Sequence, residues 1–173
     1  MKIKQNYFKA GLVLTALSLL TFTHPAMAED QVPFKGVEVG AASSGGFEFP
    51  FAIILDTSEG EATHLGHFTK VGIIQIDVTS TTGIAAVTES FTLTAANGDV
   101  LFLTGAGDAP PPSDHPVTVL NVTVTGGTGR FEGATGELVE VTRFADAFTP
   151  GGGTDPYVAA IEGTISTLGA NKQ

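Results

Sequence analysis

The chain contains no cysteine and no tryptophan, and only 8 of its 173 residues are lysine or arginine. Without cysteine there is no disulfide framework, no thiolate metal or iron–sulfur site, no cysteine nucleophile and no lipid-modified cysteine. With 18 acidic residues and a formal net charge of −10, the chain lacks the basic surface that neutralises phosphates. We therefore expect neither nucleic acid nor an anionic membrane surface as a partner.

The first 28 residues show the order of features that is typical of a secretory signal peptide. Three lysines precede residue 10, an uncharged and mostly apolar run covers residues 10–22, and Ala26-Met27-Ala28 places small residues at the two recognition positions before a cut. A membrane-spanning helix would need about 20 apolar residues, and Pro25 ends this run too early. We predict cleavage after Ala28 and export to the periplasm or the medium, with no membrane insertion after cleavage.

Cleavage after Ala28 would leave residues 29–173, a length that suits one domain. Three of the 8 basic residues lie in the removed segment, whereas all 18 acidic residues lie beyond it. The mature chain would then carry 5 basic residues and a formal net charge of −13. This change strengthens the argument against nucleic acid and anionic membranes as partners.

Apolar residues recur with a period of two through the rest of the chain, which indicates β-strands. Phe47, Phe49, Phe51, Ile53 and Leu55 occupy consecutive odd positions and would place five large apolar groups on one face of a strand. Turn signals such as the Asn-Gly pair at 97–98 separate the runs. No window beyond residue 28 has a convincing helical period. We predict eight strands, at residues 34–41, 47–56, 64–79, 84–95, 99–106, 116–125, 135–145 and 157–167.

Eight short antiparallel strands without a covering helix favour an all-β fold, either a closed barrel or a compact sandwich. Closure removes the sheet edges at which a chain rich in valine and threonine would aggregate. The third predicted strand is long enough to need a bend, and Gly72, where the apolar parity switches, is a suitable place for a bulge. A barrel of about eight strands has an interior that side chains fill or that holds one small ligand.

The most distinctive passage is the glycine-rich stretch at residues 125–136, which reads TGGTGRFEGATG. It is not a phosphate-binding loop, because no Gly-Lys-Ser/Thr follows it and the next element is a strand. It resembles the glycine-rich turn of the allene oxide cyclase-like and dirigent-like β-barrels, where a Gly-Gly-Thr/Ser-Gly-x-Phe-x-Gly-Ala-x-Gly string joins two late strands. Residues 62–69, 94–99 and 163–166 look like those of the bacterial exported members of that group.

The resemblance spans residues 34–167 and implies a single eight-stranded antiparallel barrel, in agreement with the strand count. Phe131, within the glycine-rich stretch, can close one end of such a barrel. The plant cyclases bind a fatty-acid epoxide in an apolar cavity, and dirigent proteins steer radical coupling with acidic and aromatic cavity residues. None of those polar groups can be matched here residue by residue, so the resemblance implies the scaffold and not the activity.

The spacing of histidine, serine and carboxylate residues gives no catalytic or metal site. His64 and His67 would lie on opposite faces of a strand and could not hold one ion without a bulge or turn. No serine lies in a Gly-x-Ser-x-Gly elbow. Carboxylate pairs such as Glu137 with Glu140 are interpreted as solvated surface charge. We predict no metal and no cofactor, and we identify no catalytic residue.

Two polar residues are candidates for the barrel interior, because each shares its parity with apolar neighbours on its strand. Tyr157 and Arg143 would both enter the interior if those apolar sets line it. If Phe144 points inward instead, Arg143 is a surface charge. An inward Arg143 would need a carboxylate partner, for which Glu89 or Glu137 is available.

Three functions stay open on these grounds. The first is a binding module that encloses a small apolar ligand; the second is an isomerase or cyclase acting on a hydrophobic substrate in the same cavity. The third is a filled barrel with a structural or surface role, and self-association into a homo-oligomer is compatible with all three. By the predicted parity the apolar faces are nearly free of titratable residues, so we favour the binding module over an enzyme. The candidate ligand-binding residues are Phe47, Phe49, Phe51, Phe102, Arg143 and Tyr157.

Overall fold

The computed structural model describes residues 31–79, 81, 84–109, 113–147 and 153–166. The predicted signal peptide, residues 1–28, lies outside these residues. Within them, no helix has both the length and the apolar character that a membrane span requires.

Eight antiparallel strands form one closed barrel, which confirms the all-β prediction and decides between a barrel and a sandwich. Each strand pairs with its neighbours in chain order, and the first strand also pairs with the last. Among the described residues the helical content is one short 3₁₀ helix, Gly129–Phe131. The strands are β1 (Gln31–Glu48), β2 (Phe51–Ala62), β3 (Gly66–Asp77), β4 (Ala85–Ala95), β5 (Val100–Ala109), β6 (Val117–Gly127), β7 (Gly136–Phe144) and β8 (Thr154–Ser166).

The strand pairing is interrupted at two places, and neither is Gly72. The β1–β2 register shifts between Ser44 and Gly46, and the β5–β6 register shifts between Phe102 and Leu103. β3 pairs in continuous register on both sides of Gly72, so the predicted bulge there is wrong. β3 is shorter than predicted, because the chain turns at His64, whose φ is 66°. A 12-residue strand needs no bend at this point.

Large apolar side chains fill the end of the barrel where β2 turns into β3 and β6 turns into β7. Phe131 is fully buried there, at 0% exposure, so the expectation that it closes one end of the barrel agrees with its position. Phe131 is the last residue of the 3₁₀ helix, and residues 127–136 form the tight turns around its side chain. The buried members at this end include Phe34, Leu65, Phe68, Phe91, Leu93, Leu101, Leu103 and Phe131.

The opposite end of the interior, where β1 turns into β2 and β7 into β8, holds a smaller buried cluster. We call it the β1–β2 end, and it consists of Ala42, Ile54, Phe144, Tyr157 and Ala159. Two of its five members are alanines, whereas phenylalanine and leucine dominate the other end. Several charged side chains also occupy inward-facing positions of these strands.

Candidate functional site

A single lysine in the barrel interior is surrounded by four carboxyl groups. The Nζ atom of Lys70 lies 3.0 Å from Asp56 Oδ2, 3.1 Å from Glu89 Oε1, 3.1 Å from Glu140 Oε1 and 3.4 Å from Glu38 Oε1. Each of the five side chains is at most 3% exposed. We call these five residues the ionic cluster.

Five different strands supply the ionic cluster, because each member occupies an inward position of its own strand. Successive side chains of a strand point to opposite faces, so the inward residues of a closed barrel converge on its axis. Glu38 illustrates the alternation, since it is 4% exposed while its neighbours Val37 and Val39 are 62% and 64% exposed. The members lie on β1 (Glu38), β2 (Asp56), β3 (Lys70), β4 (Glu89) and β7 (Glu140).

Tyr157 and Thr142 connect the ionic cluster to the β1–β2 end. The hydroxyl of Tyr157 lies 2.6 Å from Asp56 Oδ1 and 3.4 Å from Glu38 Oε1. A phenol has one proton to donate, and the shorter contact identifies Asp56 as its acceptor. The hydroxyl of Thr142 donates to Glu140 Oε1 at 3.1 Å. Tyr157 therefore lies inside the barrel. This is one of the two orientations that the sequence had left open for its side chain.

Two glycines leave the space that the buried polar side chains occupy. A Cβ atom at Gly40 would lie 2.6 Å from Cζ of Tyr157, and one at Gly72 would lie 2.8 Å from Oε1 of Glu89. Real Cβ atoms do not approach other heavy atoms so closely, so a larger residue would displace the ring or the carboxyl group. Gly72 thus serves side-chain packing and not a bend in the strand.

Burial changes the protonation of two carboxyl groups in the ionic cluster. It raises the pKa of Glu38 from 4.5 to about 6, despite the opposing attraction of Lys70. The negative charges of Glu140 and Asp56 add to this rise. Burial also raises the pKa of Glu89 well above 4.5, again against the attraction of Lys70. Both groups therefore take up a proton at a higher pH than an exposed glutamate does.

Lys70 and Tyr157 keep their usual protonation at neutral pH. Burial alone would lower the pKa of Lys70, but the four carboxylates, Glu140 foremost, raise it well above 10.5. Its ammonium group also lies 4.3 Å from the centroid of the Phe91 ring, within the range of a cation–π contact. The pKa of Tyr157 is raised above 10.0, chiefly by burial, so this side chain stays a neutral hydrogen-bond donor.

Across the described ranges, no three histidine or carboxylate side chains are arranged to hold a metal ion. The ammonium group of Lys70 already occupies the point on which the four carboxylates converge. The two histidines considered as ligands lie elsewhere: Nε2 of His64 is 3.1 Å from the carbonyl oxygen of Pro33, and Nδ1 of exposed His67 is 3.9 Å from Glu61.

The four phenylalanines predicted to contact an enclosed ligand do not point into the barrel interior. Phe47, Phe49 and Phe102 are 64%, 76% and 40% exposed, and Phe51 is half-buried. On β2 it is the even positions, including Ile54, that are buried, so the prediction that the odd positions face the interior is wrong. Both faces of this strand carry apolar residues, and the alternation therefore gave no basis for choosing the inner one. Ligand contact by the four phenylalanines stays a prediction.

Arg143 also lies on the outer surface, because Phe144 is the inward residue at the end of β7. The alternative in which Arg143 enters the interior is thus wrong. Of its two proposed partners, Glu89 pairs with Lys70 inside the barrel, and exposed Glu137 accepts a hydrogen bond from Thr123 at 3.1 Å.

Arg143 borders an open groove of about 610 Å³. The groove crosses strands β7, β8, β1 and β2, and most of its lining side chains point outward. Its lining residues are Val37, Glu38, Val39, Glu59, Gly60, Glu61, Val141, Arg143, Val158, Ala159 and Ala160.

The ionic cluster was not predicted from the sequence. Glu140 was interpreted as surface charge and the apolar faces as nearly free of titratable groups, and both interpretations are wrong. A usable signal was present: Glu38 and Glu140 are lone charges in mid-strand, each between two valines. When two valines point outward in a barrel, the residue between them points inward.

No family model matches the chain, and no curated protein matches it. Among solved structures, the chain is similar to the pterocarpan synthase dirigent protein GePTS1. The two share 12% sequence identity with a TM-score of 0.46, and the alignment covers 92% of this chain and 99% of that chain. Similarity at this level assigns no ligand and no activity to the present barrel.

Proposed function

We propose that the protein is an exported barrel that binds one small, largely apolar molecule in its interior, with the polar group of that molecule held by Tyr157 and the ionic cluster. The observation that carries the proposal is the placement of five ionisable side chains in a nearly inaccessible interior. Each buried ion costs several kcal/mol of desolvation, and apolar replacements of buried ion pairs are often neutral or stabilising. A barrel that needed only to fold could have used an apolar core.

The β1–β2 end supplies the apolar part of the proposed site. Ala42, Ile54, Phe144 and Ala159 lie beside Tyr157, whose hydroxyl reaches the carboxylate of Asp56. Small-molecule sites usually combine an apolar lining with a few convergent polar groups, the first for affinity and the second for orientation. Export of the barrel is supported by the signal-peptide pattern of residues 1–28.

A second candidate is an isomerase or cyclase that uses the same interior. The specific observation in its favour is Glu38, whose pKa of about 6 suits a group that accepts and returns a proton near neutral pH. Its carboxylate lies 3.4 Å from the hydroxyl of Tyr157, so two proton-carrying groups are adjacent. Converging polar groups of this kind favour catalysis more than the sequence had indicated.

A fluorescence titration with N-phenyl-1-naphthylamine, an apolar probe with one N–H donor, tests interior binding. Ala159 points inward and Ala160 points outward into the groove, so the variants Ala159→Leu and Ala160→Leu form a matched pair. We expect saturable binding to the unaltered protein, an affinity at least about tenfold weaker for Ala159→Leu, and no change for Ala160→Leu. Circular dichroism establishes that both variants are folded.

The opposite pattern contradicts the proposal. If Ala160→Leu alone weakens the probe, the ligand binds in the outer groove, and if no saturable binding occurs, the interior is filled. Native mass spectrometry of the protein purified from its own periplasm or medium then identifies the class of ligand, because a bound small molecule adds its mass to that of the chain.

A further inference from the structure

The ionic cluster contains one cation for four carboxyl groups, so it would carry a charge of −3 if all of them were ionised. Lys70 is the one buried cationic side chain in the part of the chain that the structure describes. Excess charge of one sign is unfavourable where water is excluded, because the low dielectric strengthens repulsion and removes solvation. Proton uptake by the carboxyl groups relieves this excess.

Two carboxyl groups are placed to take up these protons. The groups that face Glu38 are Asp56 and Ser58 on β2, Lys70 on β3, Glu140 on β7 and Tyr157 on β8. The groups that face Glu89 are Asp56 on β2, Lys70 on β3 and Glu140 on β7. In both sets the carboxylates outnumber the single ammonium group, so a proton on either glutamate lowers the repulsion within the interior.

We propose that the ionic cluster makes the stability of the barrel depend on pH. The cluster stabilises the fold when its carboxyl groups take up protons at mildly acidic pH, and it destabilises the fold when they release these protons towards alkaline pH. The proposal needs no ligand and goes beyond the function proposed above. Its geometric basis is the convergence of five strands on one ammonium group, since any change in the charge of the cluster acts on all five strands at once.

The direction of the effect follows from the shifts in the two carboxyl groups. Glu38 has a pKa of about 6 in the barrel and 4.5 when unfolded, so the folded state binds the proton more tightly. Its stabilising contribution is complete below pH 4.5 and is lost as the pH rises through 6. Between pH 5 and pH 8 this one group lowers the folding equilibrium constant about eightfold. Glu89 acts in the same direction.

The test compares isosteric amide variants that mimic the protonated carboxyl group. Urea unfolding is measured at pH 5 and pH 8 for the unaltered protein, Glu38→Gln, Glu89→Gln and the control Glu59→Gln, whose side chain is exposed on β2. Relative to the control, Glu38→Gln should reduce the change in the folding constant between the two pH values about eightfold. Glu89→Gln should be more stable than the unaltered protein at pH 8.

The proposal is overturned if both interior variants keep the pH dependence of the control, or if both are less stable than the unaltered protein at pH 8. Should neither variant fold, the unaltered protein still decides the matter. A folded state that holds more protons must release them on unfolding. At pH 6 Glu38 alone should release about half a proton per chain, and Glu89 should add to this release. Net uptake of protons on unfolding at pH 6 would contradict the proposal.

Discussion

The hydroxyl of Tyr157 on β8 donates a 2.6 Å hydrogen bond to the carboxylate of Asp56 on β2, across the inner face of the strand between them. That intervening strand is β1, and its residue beneath the Tyr157 ring is Gly40. The hydrogen bond therefore joins strands that share no backbone pairing, and it depends on the absence of a side chain at Gly40. Tyr157, Asp56 and Gly40 act as one structural unit at the edge of the ionic cluster.

Removing the Tyr157 hydroxyl should destabilise the barrel. Tyr157→Phe deprives a buried carboxylate of its donor, and we expect a loss of about 1–3 kcal/mol in the free energy of unfolding. Urea denaturation at pH 7 measures this loss in the free energy of unfolding. The neighbouring residue, Val158, is 52% exposed, so Val158→Ala is a matched control expected within about 0.5 kcal/mol of the unaltered protein. Equal effects of the two substitutions would refute the importance of this hydrogen bond.

A methyl group at Gly40 should force the Tyr157 ring out of place. The new Cβ would lie 2.6 Å from Cζ of Tyr157 and 2.6 Å from the carbonyl oxygen of Thr57, and the backbone oxygen cannot move away freely. We expect Gly40→Ala to cost about 1–3 kcal/mol, the usual range for overpacking. Thermal unfolding measures the loss, and an unchanged midpoint would show that the ring does not lie against this strand.

Replacement of the interior lysine should be much more harmful than replacement of a surface lysine. Lys70→Met leaves four carboxyl groups without their cation, and loss of one partner from a buried ion pair costs about 3–5 kcal/mol. Lys35 pairs with Glu162 at 3.8 Å with both side chains at least 70% exposed, so Lys35→Met should cost less than about 1 kcal/mol. Denaturation at pH 8 compares them; similar small losses would mean that the ionic cluster is hydrated.

Aromatic residues inside and outside the barrel should respond differently to truncation. Phe144→Ala removes a ring that is 8% exposed at the β1–β2 end, and we expect a loss of about 3–5 kcal/mol and weaker probe binding. Phe49 is 76% exposed, so Phe49→Ala should leave stability and probe binding nearly unchanged. If Phe49→Ala instead abolishes probe binding, the ligand contacts the outer phenylalanines.

The strand positions could be predicted from the sequence because alternation and turn residues are local signals, and the resemblance carried by residues 125–136 favoured a barrel over a sandwich. Seven of the eight predicted strands begin within three residues of the observed strands, and Phe131 was placed correctly at a closed end. The long-range registers were less accessible. The bulge between Ser44 and Gly46 determines which residues of β1 pair with which residues of β2. No local sequence feature distinguishes this site from Gly72, where a bulge was predicted and is absent.

The inner face of each strand was harder to predict because many outward positions of this barrel carry large apolar residues. Val37 and Val39 are more than 60% exposed although Glu38 between them is buried, so the usual rule that apolar residues point inward selects the wrong face. Five charged residues from distant parts of the chain become favourable inside only when they meet. That meeting is a tertiary property, and no single strand reveals it.

The most direct test of the central claim, that the solvent-inaccessible barrel interior holds four carboxyl groups around one ammonium group, is a ¹³C NMR titration of the glutamate carboxyl carbons. Loss of a signal in Glu38→Gln and in Glu89→Gln assigns the two resonances. Glu38 should titrate near pH 6, and Glu89 should titrate well above 4.5. Titration of both groups near pH 4.5 would contradict the claim.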